Sequence, residues 1–172
     1  MGKLFKRIFP LSFVLFIFML TACSINKPKN NPLPEKMPSD FSFVLNYGVN
    51  AKNQLDTKKE TYTLDTAIKP TVITNFKLSD DEINDIYTSM RSIDIFNYPD
   101  NFYPDNNLMQ TPFYTYSIKI IANGKVKNIY WKDENVSESK DAVQLRDLFK
   151  KIHRIVAEKE EYKKMPPAQA YD

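Results

Sequence analysis

Asn123-Gly124 is the residue pair that most narrows what this chain can fold into. It stands between Tyr116-Ser117-Ile118-Lys119-Ile120 and Lys127-Asn128-Ile129-Tyr130-Trp131, where apolar and polar residues alternate with the period of a strand. A two-residue connection matches the twist of its flanking strands when both central residues take positive φ, which Asn and Gly tolerate. The spacing therefore predicts a hairpin with Ile118 opposite Ile129 and Tyr116 opposite Trp131 on one face. Ser117, Lys119, Asn128 and Tyr130 fall on the other. A slip of one residue would turn the apolar set to solvent, so turn and alternation together specify the register.

The rest of the folded part reads in the same terms. Phe41, Phe43, Leu45 and Tyr47 alternate with Ser42, Val44 and Asn46, as a first strand would. Tyr62 and Leu64 mark a second strand, and Val72, Thr74, Phe76 and Leu78 a third after Pro70. Ser79-Asp80-Asp81-Glu82 has the form of a capping box, and its acidic first turn suits the helix dipole. Ile83, Ile86, Tyr87, Met90 and Ile93 then recur at helical spacing. A second helix carries the stripe Leu145, Leu148, Phe149, Ile152 and Val156, with Asp147/Lys151 and Glu160/Lys164 as outer pairs and Pro166-Pro167 as its stop. The order strands, helix, hairpin, helix predicts the α+β class: an antiparallel sheet of about five strands with two helices packed mainly on one face. A single domain over 40–165 is expected, followed by a flexible tail over 166–172.

The N-terminus speaks to location. Lys3, Lys6 and Arg7 precede an apolar run from Ile8 to Leu20, and no acidic residue occurs before Glu35. That run is shorter than the ~20 residues a membrane-spanning helix needs, and it fits a secretory h-region behind a positive n-region. The next residues, Leu20-Thr21-Ala22-Cys23, resemble the lipobox of bacterial lipoprotein precursors. The resemblance implies a signal peptide over 1–22, cleavage between Ala22 and Cys23, and acyl chains on Cys23. A transmembrane anchor and a spare thiol are the competing readings, and both explain fewer of these features. N-myristoylation of Met1-Gly2 is excluded because Lys6 stands where Ser or Thr is required. Residues 24–39 hold four prolines and little apolar periodicity, so 23–39 is expected to be a lipidated, disordered spacer.

Removing such a leader changes the charge argument. The chain has 24 Lys+Arg and 21 Asp+Glu, and Lys3, Lys6 and Arg7 all precede Cys23, which leaves 21 basic against 21 acidic groups. That balance argues against a nucleic-acid surface. Cys23 is the one cysteine, so no internal disulfide is available and the domain must hold by packing.

Beyond the lipobox, Phe43-Val44-Leu45-Asn46-Tyr47-Gly48, Thr111-Pro112-Phe113-Tyr114-Thr115-Tyr116-Ser117-Ile118 and Asn128-Ile129-Tyr130-Trp131-Lys132 are similar to small lipoproteins of Bacillus-type Gram-positive bacteria. That resemblance spans most of the mature chain and implies an envelope location on the outer face of the cell membrane. It carries no activity with it.

The familiar catalytic patterns are missing. Only Gly48 and Gly124 lie beyond the leader, so phosphate-cradling loops are excluded. Gly-x-Ser-x-Gly is absent, and the single cysteine is expected to be acylated. His153 lacks a metal-ligating partner at helical spacing and reads as a solvated helix-edge residue. Asp80, Asp81, Glu82 and Asp85 are accounted for by the first helical turn. No metal and no cofactor are expected.

One segment lacks such an account. Asn97-Tyr98-Pro99-Asp100-Asn101-Phe102-Tyr103-Pro104-Asp105-Asn106-Asn107 repeats Tyr-Pro-Asp-Asn, a type I turn sequence, within a long stretch without periodicity. Tyr98, Asp100, Tyr103 and Asp105 are its candidate ligand residues. The alternative is that its aromatics fold back as a lid on the core. The expected function is a non-catalytic binding or accessory module of the envelope, held by acyl chains and facing a protein, peptide or glycan. The competing expectation is an envelope hydrolase whose carboxylates use an unfamiliar arrangement.

Overall fold

The computed structural model describes residues 33–167 apart from 69, 105–107 and 136. Ala22, Cys23 and Asp105 thus lie outside the described residues, as does the expected signal peptide. The chain forms an α+β fold built on one mixed, seven-stranded sheet. In chain order the elements are β1 (Ser42–Tyr47), β2 (Asn53–Asp56), β3 (Thr61–Leu64), β4 (Val72–Asn75), α1 (Asp80–Ser92), β5 (Asn101–Phe102), β6 (Thr115–Ala122), β7 (Lys125–Lys132), α2 (Lys140–Glu158) and a short α3 (Glu160–Lys163). Across the sheet the order is β4-β3-β2-β1-β6-β7-β5.

The Asn123-Gly124 hairpin has the expected register. Ile118 pairs with Ile129 and Tyr116 with Trp131, and Asn123 and Gly124 take φ of 52° and 71°. Phe43, Leu45, Tyr47, Tyr116, Ile118, Ile120, Ile129 and Trp131 all turn to one face and are buried. Both long helices cover that face: Tyr87 of α1 meets Phe41 edge-on at 4.9 Å, and Phe149 of α2 stacks on Tyr116 at 4.4 Å. The capping box forms as the sequence predicts, with Glu82 N–H donating to Ser79 Oγ and Ser79 N–H donating to Glu82. On the uncovered face, Ile73, Thr63, Gln54, Asn46, Ser117 and Tyr130 form one row through successive strand pairings.

The expectation of about five antiparallel strands is corrected in two places. β2 reads Asn-Gln-Leu-Asp, too polar for alternation to reveal. It is fixed from outside instead, between β1 and β3, with Leu55 wholly buried. Asp56 closes the following turn by accepting the N–H groups of Lys58 and Lys59, the local bonding that Asp side chains favour. β5 lies inside the Tyr-Pro-Asp-Asn segment and runs parallel to β7, which makes the sheet mixed.

The second helix also departs from expectation. It ends at Glu158, where Lys159 adopts an extended backbone, and α3 restarts the chain in a new direction. Lys151 pairs with Asp85 of α1, and Glu160 pairs with Lys163, in place of the expected Asp147/Lys151 and Glu160/Lys164. At the entry side, Leu33 is 1% exposed and the Tyr87 hydroxyl donates to Pro34 O. Core packing therefore starts earlier than Asp40, inside the segment expected to be spacer.

Apolar burial carries the stability. Each fully buried Leu, Ile or Phe contributes roughly 1.5–3 kcal/mol, whereas an exposed ion pair contributes about 0–1 kcal/mol. Arg146 differs from those surface pairs: its guanidinium grips the buried Asp133 carboxylate through two bonds of 2.7 and 2.8 Å and lies 5.3 Å from the Trp131 ring centre. It pins the end of β7 to α2.

Candidate functional site

The Tyr-Pro-Asp-Asn segment divides into structural parts. Tyr98 is buried, and its hydroxyl donates to Asp141 O at 3.0 Å. Phe102 is buried edge-on against Tyr98 and Trp131. Asp100 is exposed and pairs with Lys127 at 2.7 Å, while its carbonyl accepts the Tyr130 N–H at the same length. Tyr103 points outward at 64% exposure. Of the four candidate ligand residues, Tyr98 thus belongs to the core, Asp100 to an ion pair with β7, and Tyr103 to the surface. None of these three lines the cavity described next.

The concave site lies elsewhere, at the end of the sheet where β1 runs into Gly48 and α2 gives way to α3. It is a cavity of about 310 Å³. Leu45, Leu64, Tyr116 and Phe149 line its apolar part, Tyr47, Tyr62, Tyr162 and His153 its polar part, and Gly48, Asn53, Tyr114 and Lys150 complete the lining. The sequence placed Tyr47, Tyr62 and Tyr116 on strand positions that face the core, so their rings were expected inside. Their hydroxyls were the unread part. An inward tyrosine carries a polar group that needs a partner, and several together make a pocket with both apolar and polar surface.

Tyr47 and Tyr62 answer that need by bonding each other, hydroxyl to hydroxyl at 2.5 Å. Burial pushes both phenols well above their usual range, so both stay protonated at neutral pH. Two hydroxyls hold two protons and this bond uses one, which leaves one phenolic donor for a further acceptor.

His153 is exposed on the edge of α2, as the sequence implied, and its ring also faces two tyrosines. Its ring meets Tyr47 at 5.6 Å and Tyr162 at 6.4 Å, both nearly perpendicular. Desolvation lowers its pKa below the usual histidine value, so the imidazole is neutral at pH 7. The break at Lys159 is what brings Tyr162 here, edge-on to Tyr62 at 5.4 Å. Lys159 itself is held by Glu82 of α1 at 2.7 Å.

The rim is shaped by backbone. Gly48 has φ of 94°, a conformation that favours glycine, and a Cβ there would meet the end of the Asn53 side chain, Nδ2, at 2.7 Å and displace it. Gly48 O accepts the N–H groups of Ala51 and Thr115, which ties the rim to β6. Asn53 Oδ1 accepts the Asp65 N–H at 2.9 Å, which orients the amide and leaves its Nδ2 at the rim.

Among the described residues, no group of three or more His, Cys, Asp or Glu is placed to hold a metal ion, and no helix is long and apolar enough to cross a membrane. Comparison with protein-family models, with curated proteins and with solved structures finds no match for this chain.

Proposed function

We propose that this chain is a lipoprotein of the cell envelope, anchored on the outer face of the cell membrane through acyl chains on Cys23, whose folded domain binds a small ligand without transforming it. The observation that carries the binding reading is the tyrosine-lined cavity between the sheet and the α2–α3 corner. Its volume of about 310 Å³ lies at the lower end of the range for small-molecule sites, which are mostly apolar with a few placed polar groups. The lining contains phenols, an amide, an imidazole and an ammonium, but no carboxylate, serine, threonine or cysteine. Acid–base or nucleophilic turnover needs a base held within hydrogen-bond reach of its partner, and His153, the natural base of this lining, meets Tyr47 and Tyr162 through ring contacts at 5.6 and 6.4 Å. Binding needs only shape and a few donors.

The anchoring half rests on the lipobox-like Leu20-Thr21-Ala22-Cys23 behind its charged and apolar leader. Two acyl chains are enough for stable attachment, at about 0.8 kcal/mol per buried CH₂. Metabolic labelling with a fatty-acid analogue should mark the wild-type chain and leave Cys23→Ala unlabelled. Equal labelling of the two would remove the anchor from the proposal.

A further inference from the structure

We infer that the cavity takes a small ring-bearing organic anion, its ring against the tyrosines and its carboxylate toward Lys150 and Asn53. This deepens the binding-module reading and rests on it.

The polar groups around the cavity are weighted toward donors. The Tyr47–Tyr62 pair has one phenolic proton left over after its mutual bond. Asn53 is oriented by the Asp65 N–H so that its Nδ2 donors remain at the rim. Lys150 adds an exposed ammonium with three donors and makes no ion pair among the described residues. No Asp or Glu lines the cavity to balance that ammonium. A buried donor without an acceptor is expensive, so the complementary ligand brings acceptor oxygens, and the uncompensated ammonium favours a negative one.

The aromatic lining sets the other half of the ligand. Tyr62, Tyr162, His153 and Tyr47 meet one another edge to face or tilted, and all four contribute surface to the cavity lining. Such surface accepts an aromatic ring or the apolar face of a sugar. Aromatic faces alone would also suit an organic cation. Here the ammonium and the absence of a lining carboxylate oppose one.

The test uses the full isotope-labelled chain in non-ionic detergent, following the Gly48 amide and His153 ring signals during titration. The probes are benzoate, glucuronate, benzyl alcohol and benzyltrimethylammonium. Either carboxylate should bind about tenfold more tightly than benzyl alcohol, the gain of one charge-assisted contact. Lys150→Met should remove that advantage over benzyl alcohol, and an advantage kept in full would overturn the role of the ammonium. Tighter binding of benzoate assigns an aromatic ring, and tighter binding of glucuronate assigns an acidic sugar; each supports the inference. Benzyl alcohol matching both carboxylates, or benzyltrimethylammonium exceeding them, would overturn the anion while leaving a binding cavity. Silence of both signals toward all four probes would overturn the cavity's binding role itself.

Discussion

Asp40 lies far from Asn123 and Gly124 in the chain, yet its two carboxylate oxygens accept their backbone N–H groups at 2.7 Å each. The turn was legible from Asn-Gly alone, because positive φ at both positions is a local demand. Its clasp was not, since nothing near Asp40 marks which donors it will meet. The N–H of Gly124, then that of Asn123, holds the Asp40 carboxyl below its ordinary 3.8. A carboxylate whose folded pKa is depressed contributes stability above the unfolded value and loses it as pH falls through the folded one. The Gly124 amide shift should therefore titrate in NMR with a midpoint below 3.8, and Asp40→Asn should abolish that transition. A midpoint at or above the ordinary value would show that the clasp does not form in solution. The site followed the same rule at this scale: each tyrosine's inward face was readable, but the Tyr47–Tyr62 bond joins residues whose facing depends on the polar β2 lying between their strands.

At the scale of elements, legibility followed signal length. β1, β6 and β7 alternate over six to eight residues, and α1 announces itself by its capping box. β5 holds only Asn101 and Phe102, too few for any period, and its pairing is decided by packing. Phe102 seats edge-on against Trp131 at 5.3 Å and Tyr98 at 5.4 Å, and this anchors the strand beside β7. The long unpatterned segment thus reads as a covering for the sheet edge, which leaves fewer backbone groups open to association. Phe102→Ala should cost about 3 kcal/mol in urea unfolding, within the usual range for a buried phenylalanine. Exchange of the Tyr130 amide, which donates to Asp100 O, should accelerate more than that of Ile118 in the sheet centre. Unchanged Tyr130 exchange would mean that β5 stands without its aromatic anchor.

For the whole molecule, the cavity depends on distant parts of the chain. Leu45 to Leu64 come from β1 to β3 and the turn after β1, Tyr114 and Tyr116 from the approach to and start of β6, and His153 and Tyr162 from either side of the break at Lys159. No local pattern encodes that meeting, which is why the sequence pointed instead to the Tyr-Pro-Asp-Asn segment. The same long-range logic governs where the domain begins. Proline-rich composition argues for a spacer up to residue 39, but composition averages over a window and hides one well-placed apolar side chain. Leu33 is 1% exposed, Met37 packs against the core, and Tyr87 bonds Pro34 O, so the cooperative unit takes in 33–39. Leu33→Ala should lower the unfolding free energy by about 2–5 kcal/mol, as expected for a fully buried leucine. Tyr87→Phe, which removes one hydrogen bond and keeps the ring, should cost about 1 kcal/mol. Under the proposed anchoring, only residues 24–32 then separate the acylated cysteine from folded structure, at most about 30 Å of fully extended chain. Urea midpoints unchanged in both variants would return 33–39 to the spacer and lengthen that reach.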